Sequence, residues 1–208
     1  MKVVLFGASG MIGSRVLEEL LRRGHDVTAV VRNPEKIAVK GVKVVKGDVT
    51  DEASVAKAVQ GADAVISAYA PPQKQESMLL NATRALIAGV AKAGVRRLIV
   101  VGGAGSLEIA PGVQLVDIPE FPEEWKAIAL AHRDVLPILK QSNLAWTYLS
   151  PAGLIQPGER TGKFRLGGTQ LLKDEKGESR ISAEDYAIAL VDELEKPQHV
   201  GQQFTVAY

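Results

Sequence analysis

The amino-acid sequence predicts an α/β fold, a doubly wound parallel sheet covered by helices on both faces. Two patterns predict it. Apolar runs of strand length alternate with stretches of helical periodicity through the first 150 residues. A glycine cluster, GASGMIG at Gly7–Gly13, stands between the first run and the first helical stretch, where a tight strand-to-helix turn needs it.

Each element has its own signal. Val3, Val4, Leu5 and Phe6 make Lys2–Phe6 a near-continuous apolar run, as suits a strand buried on both faces. Met11–Arg23 carries Ile12, Val16, Leu17, Leu20 and Leu21 at helical spacing, and Gly24 ends it. Val27–Val31 is the second strand, closing on Arg32, and Val42–Val45 the third. A short helix at Ser54–Val59 leads to a fourth strand, Ala64–Ser67. Gln75–Ala93 reads as a helix because Met78, Leu79, Ala82, Leu86 and Val90 recur on one face, with Gly94 closing it. Leu98–Val101 is the fifth strand, followed by a long loop containing glycine and proline through Pro122. A helix over Glu123–Lys140 and strands at Leu144–Leu149 and Phe204–Ala207 complete the core, in the expected order 3-2-1-4-5-6 plus a seventh strand. The segment Pro151–Arg180 breaks the rhythm: it is rich in Gly, Pro and charge, and its apolar pieces Lys163–Leu166 and Leu171–Leu172 suit small strands. Ser182, with Asp185 three residues on, predicts the cap of a helix running to Glu195.

The 208 residues suffice for one sizeable core, so residues 1–208 are expected to form one domain, with 151–180 a small irregular C-terminal substrate lobe within it. A net charge of +1 gives no electrostatic case for nucleic acid or an anionic membrane surface. The chain enters a strand at once, with no signal peptide and no apolar stretch near 18 residues, so a cytoplasmic protein is expected. The absence of cysteine excludes disulfides and thiol nucleophiles, and three scattered histidines, His25, His132 and His199, argue against a metal site. Either a monomer or a homodimer is compatible with the sequence.

The order strand, glycine turn, helix is what a dinucleotide pyrophosphate requires. Gly7 permits the tight turn, Gly10 lets the backbone approach the phosphates, and Gly13 lets the helix pack closely on the strand. The loop residues Ala8 and Ser9, with Met11 and Ile12 at the helix start, surround the free N–H donors of the helix N-terminus. About 20 residues past the glycines, an acid would accept from ribose hydroxyls, whereas an Arg suits a 2′-phosphate. The strand here ends Val30-Val31-Arg32-Asn33-Pro34, with no acid. NADP(H) is therefore expected in preference to NAD(H), through bidentate pairing by Arg32. Arg15 stands close enough in sequence to help. The competing account makes Arg32 a solvated strand-end cation.

Other strand ends face the same edge. Asp48 and Val49, in Gly47-Asp48-Val49, place a carboxylate that suits either the adenine amino group or a turn. Ser67, Ala68 and Tyr69 are mostly small and permit close approach of a nicotinamide ribose. Gly102 and Gly103, with Gly105 close behind, imply close backbone approach to a ligand or a structural loop.

By these motifs the chain resembles the short-chain dehydrogenase/reductase superfamily. The GxxGxxG spacing, VGGAGSL at Val101–Leu107, TYLSPAGL at Thr147–Leu154 and SRISAEDYA at Ser179–Ala187 are similar to its atypical branch, in particular NAD(P)H-flavin reductases, biliverdin reductase B-like and NmrA-like proteins. The resemblance covers the whole length. It implies a Rossmann-type fold, an oxidoreductase and NADP held at Gly7–Gly13, Arg32, Asp48, Ser67–Tyr69, Gly102–Gly103 and Pro151, Ala152, Gly153 and Leu154.

One departure from the superfamily decides the chemistry expected. No Tyr has a Lys four residues later, and the helix where that pair would fall carries Ile128 and His132. Ketone reduction needs that pair to protonate an alkoxide. A flavin spreads the charge of an added hydride through its rings, so flavin (FMN or FAD) as substrate, or another planar acceptor, is expected. His132 is the remaining acid candidate, with packing as its competing role, because Trp125, Ala129, His132 and Leu136 share a helical face. Ser106 is a second catalytic candidate, although no GxSxG elbow surrounds it. Lys126 suits a cofactor ribose hydroxyl or phosphate, or plain solvation, and Trp125 and Tyr69 suit stacking on a flavin or packing. Two further functions stay open: a non-enzymatic NADP sensor and a nucleotide-sugar epimerase or dehydratase, the latter disfavoured by the missing Tyr and Lys.

Overall fold

A computed structural model describes residues 1–208. Chain order gives β1 (Lys2–Phe6), α1 (Met11–Arg22), β2 (Asp26–Val31), β3 (Lys43–Lys46), α2 (Glu52–Ala58), β4 (Ala64–Ser67), α3 (Met78–Lys92), β5 (Arg97–Val101), β6 (Glu108–Ala110), β7 (Val113–Gln114), α4 (Glu123–Lys140), β8 (Ala145–Ser150), β9 (Leu154–Gln156), β10 (Arg165–Gly167), β11 (Arg180–Ser182), α5 (Ala183–Glu195) and β12 (Gln202–Ala207). The main sheet runs β3-β2-β1-β4-β5-β8-β12-β10. Seven strands are parallel, with β3 to β8 in the expected order and β12 seventh, and β10 closes the far edge antiparallel to β12.

Both faces of the sheet are covered, so the strands are apolar on both sides. Val3 and Leu5 of β1 join the core beneath α1 and α5, whereas Val4 and Phe6 join the core beneath α2, α3 and α4. Burying each such side chain contributes about 1.5–3 kcal/mol, which is why β1 and β5 read as near-continuous apolar runs. Local chemistry sets the helix starts. Ser182 Oγ accepts from Asp185 N–H at 3.0 Å and starts α5 as expected. Asp51 accepts from Ala53 N–H at 3.0 Å, so α2 begins at Glu52 rather than Ser54. α3 begins at Met78, not Gln75, because residues 75–78 form turns in which Gln75 N–H bonds Pro72 O and Met78 N–H bonds Gln75 O.

The segment after β8 is more ordered than its composition suggests. β9 pairs in parallel with β11, 26 residues away, through Leu154 and Arg180. Of the two apolar pieces, Lys163–Leu166 overlaps β10, but Leu171–Leu172 is not a strand: Leu171 N–H bonds Glu108 O at 2.8 Å and Leu172 packs on the α1/α5 core. Glu108 also opens the hairpin β6–β7, within the stretch where the sequence predicts a loop. Polar clasps hold the first half of the segment against α1 and α5. Asp185, fully buried, accepts from Thr161 N–H (2.8 Å), Gly162 N–H (2.8 Å), Thr161 Oγ1 (2.5 Å) and Tyr208 OH (2.9 Å). Arg160 pairs with buried Glu19 through two contacts of 2.9 Å. No helix is long and apolar enough to cross a membrane.

Candidate functional site

At the carboxyl ends of β1 to β4 lies a crevice of about 180 Å3, at the point where strand order reverses between β1 and β4. Gly7, Ser9, Gly10, Arg32, Asp48, Val49, Ala68 and Tyr69, eight of the predicted residues, line it together. Phe6, Gly47, Thr50 and Met78 line it too and were missed as site residues. Met78 carried only a core signal, while Thr50 was legible, since Asp-x-Thr favours a turn closed by side-chain bonds.

The three glycines have different reasons to be glycine. Gly7 has φ +81°, and a Cβ there would strike Ala68 O and lie 2.7 Å from Tyr69 N. A Cβ on Gly13 would strike Gly7 O and lie 3.2 Å from Ala8 Cα, so α1 packs directly on the turn. At Gly10 (φ −81°, ψ 171°) a Cβ would meet only Gly7 O, at an ordinary 3.4 Å. The protein itself does not need glycine at position 10; a group approaching the uncapped start of α1 would. Ala8 is buried and Ile12 packs on the α1/α5 core, so these two offer backbone only, while Met11 is exposed.

Charge in the crevice is arranged around Arg32, which is exposed and has neither an ion pair nor a hydrogen bond. Asp48 Oδ1 accepts from Thr50 N–H (2.9 Å) and Thr50 Oγ1 (2.7 Å), the turn role, and Oδ2 is left unpartnered. Those two bonds, helped by the Arg32 charge, hold the Asp48 carboxyl below its ordinary range. The Tyr69 hydroxyl is buried without a partner, and desolvation raises its pKa. Arg15 is committed elsewhere: its Nε lies 3.0 Å from Glu184 Oε1 on α5 and its Nη1 bonds Met11 O. It is therefore not free for a phosphate.

The remaining predicted residues lie outside the crevice. Ser67 is buried within β4. Gly102 N–H bonds Leu149 O at 2.8 Å and Gly103 N–H bonds Tyr148 OH at 3.2 Å, so neither donor is free. Their glycines answer to packing, since a Cβ on Gly102 would strike the Tyr148 ring and one on Gly103 would lie 2.8 Å from His132 Cβ. Pro151 and Ala152 are buried, Gly153 N–H bonds Ser179 Oγ at 2.9 Å, and Leu154 is exposed in β9. Lys126 sits in the first turn of α4 with Nζ 4.0 Å from Glu123. Ser106 is not a poised nucleophile: it is buried, accepts from Gln203 Nε2 at 2.9 Å, and has no histidine or carboxylate partner. His132 Nδ1 is shielded and unpartnered, and burial lowers the imidazole pKa to about 4. The ring is neutral at pH 7, which fits packing and not proton donation. No cluster of three or more His, Cys, Asp or Glu is placed to hold a metal ion.

A glycine turn at the switch point of an open parallel sheet, with an uncapped helix start above it, defines a dinucleotide-binding α/β protein. The chain belongs to the NAD(P)H-binding family, matched over residues 7–197. It is similar, at 53% identity and TM-score 0.93 over all of both chains, to a Burkholderia pseudomallei structure provisionally described as an exported protein. A Bacteroides thetaiotaomicron structure provisionally described as an epimerase shares 45% identity at TM-score 0.93, covering 100% of this chain and 96% of that one. A Streptococcus pneumoniae structure provisionally described as an NADH-flavin reductase shares 37% identity at TM-score 0.90, covering 100% and 99%. The open space over Gly10, the unpartnered Tyr69 hydroxyl and the free Arg32 cation fit the group the family binds.

Proposed function

We propose that this protein is an NADPH-dependent reductase that passes hydride to a flavin or another planar conjugated acceptor. The observation that carries the choice of cofactor is Arg32, an unpaired guanidinium at the end of β2 with no acid beside it at the ribose position. The first-turn N–H groups of α1 and the space over Gly10 would hold the diphosphate, Arg32 the 2′-phosphate, and Asp48 Oδ2 the adenosine. When bound, the dihydronicotinamide supplies a hydride from C4, and water supplies the proton that completes a two-electron reduction. The chain's part is placement, since His132 is held neutral and no Tyr/Lys pair is present. The Streptococcus pneumoniae neighbour's description supports a flavin acceptor but names NADH. NADPH is this chain's own reading, from Arg32.

The same lack of a proton donor favours a second reading, a non-enzymatic NADP sensor. The epimerase described for the Bacteroides neighbour finds no Tyr/Lys pair here. Steady-state oxidation of NADPH with FMN, FAD, quinones and biliverdin separates these: turnover with any of them is expected, and tight NADPH binding without turnover would favour the sensor.

A further inference from the structure

The other half of the sheet edge differs in charge from the dinucleotide crevice, and the inference drawn from it rests on the reductase reading. α4 presses on the turn leaving β5: a Cβ on Gly103 would lie 2.8 Å from His132 Cβ, and one on Gly105 would lie 2.9 Å from Ala129 Cβ. Trp125 continues this stripe one turn toward the helix N-terminus, about 6 Å beyond Ala129, and so stands past the turn at the carboxyl edge. Its side chain is 59% exposed and belongs to neither core. An exposed indole on a helix can serve as a stacking platform for a planar ring.

Carboxylates outnumber cations in the stretch that leads to Trp125, which Lys126 follows directly. Residues 102–125 contain Glu108, Asp117, Glu120, Glu123 and Glu124 and no Lys or Arg. The nearest cations on α4 are engaged, Arg133 with Asp117 (3.5 Å) and Asp134 (3.1 Å), and Lys126 with Glu123 at 4.0 Å. The residues leaving β8, Pro151 to Leu154, are uncharged. The edge is therefore polarised, with a free cation at the dinucleotide end and excess carboxylate at the other. We propose that the acceptor is an uncharged planar ring system stacked on Trp125, an isoalloxazine without phosphate or a quinone, and that the surrounding carboxylates turn away phosphate-bearing flavins.

The test compares riboflavin with FMN, which share the reacting ring and differ in the phosphate. Riboflavin should show kcat/KM at least about tenfold above FMN at low salt, with the gap narrowing as salt is added. Trp125→Ala should raise the riboflavin KM about tenfold while leaving NADPH affinity unchanged, and Trp125→Phe should keep most of the activity. The double variant Glu123→Gln/Glu124→Gln should raise kcat/KM for FMN alone. FMN equal to or better than riboflavin, or an unchanged KM in Trp125→Ala, would overturn the assignment. Quenching of tryptophan fluorescence gives a readout independent of turnover, because the other tryptophan, Trp146, is buried. Quenching by riboflavin and not by FMN, lost in Trp125→Phe, supports the assignment even if no acceptor is reduced, an outcome that would sink the reductase reading. Equal quenching by both overturns it.

Discussion

Gly10 and Gly13 make a matched pair that separates binding from folding. At Gly13 an added Cβ would strike Gly7 O and lie 3.2 Å from Ala8 Cα, so Gly13→Ala must push α1 off the turn. Overpacking of this kind costs about 1–3 kcal/mol, and in a domain of this size about 2–4 °C of Tm per kcal/mol, so a fall of several degrees is expected. At Gly10 the added Cβ meets only Gly7 O at 3.4 Å with φ at −81°, so Gly10→Ala strains nothing. Its weaker helix-start preference is offset by reduced freedom of the unfolded chain, leaving stability within about 1 kcal/mol of wild type. The methyl would, however, occupy the space where a diphosphate meets the first turn of α1, and a loss of at least about tenfold in NADPH affinity follows. Thermal melts of the free proteins, with NADPH titrations followed by cofactor fluorescence, measure both quantities. If Gly10→Ala melted as low as Gly13→Ala and bound NADPH as tightly as wild type, the division of roles between the two glycines would be refuted.

Three further outcomes follow from the polar groups. Burial depresses the His132 pKa to about 4, so the unfolded chain takes up a proton that the folded one refuses, and this site's contribution is complete above about pH 6.5 and lost as pH falls toward 4. His132→Gln should flatten the fall of Tm across that window and leave kcat at pH 7 nearly unchanged; a large kcat loss at equal stability would restore His132 as an acid. Arg160→Ala removes a bidentate partner from buried Glu19, leaving it to Arg22 and Arg23, and should cost about 1–3 kcal/mol by denaturant unfolding. Since Arg160 is the foremost cause of the lowered Glu19 pKa, wild type should lose this contribution on acidification below about pH 4, and the variant should show less of that loss.

Much of this architecture was legible from periodicity. α4 spans Glu123–Lys140 as its apolar face predicts, and β1 and β4 have the predicted ends, because long amphipathic helices and unbroken apolar strands carry strong repeating signals. β9, β10 and β11 have three residues each, too few to show a period, and β9 and β11 become strands only by meeting each other. Pro151–Arg180 looked free because its charges had no visible partners; Glu19 and Asp185, which hold Arg160 and Thr161, lie far away in sequence. In the crevice, Gly7, Gly10, Arg32 and Asp48 were readable because strand ends in such a sheet must face one edge. The glycines at 102 and 103 misled, since a glycine admits a neighbouring side chain as readily as a ligand, and here Tyr148 and His132 fill the space.

The central claim, a dinucleotide site tuned to a 2′-phosphate by Arg32, is tested most directly by titrating NADPH and NADH against wild type and Arg32→Glu. A charge-assisted pair of this kind contributes about 1.5–3 kcal/mol, so wild type should bind NADPH at least about tenfold more tightly than NADH, and the variant should lose that preference. Equal affinity of wild type for the two cofactors, or a preference that survives in Arg32→Glu, would contradict it.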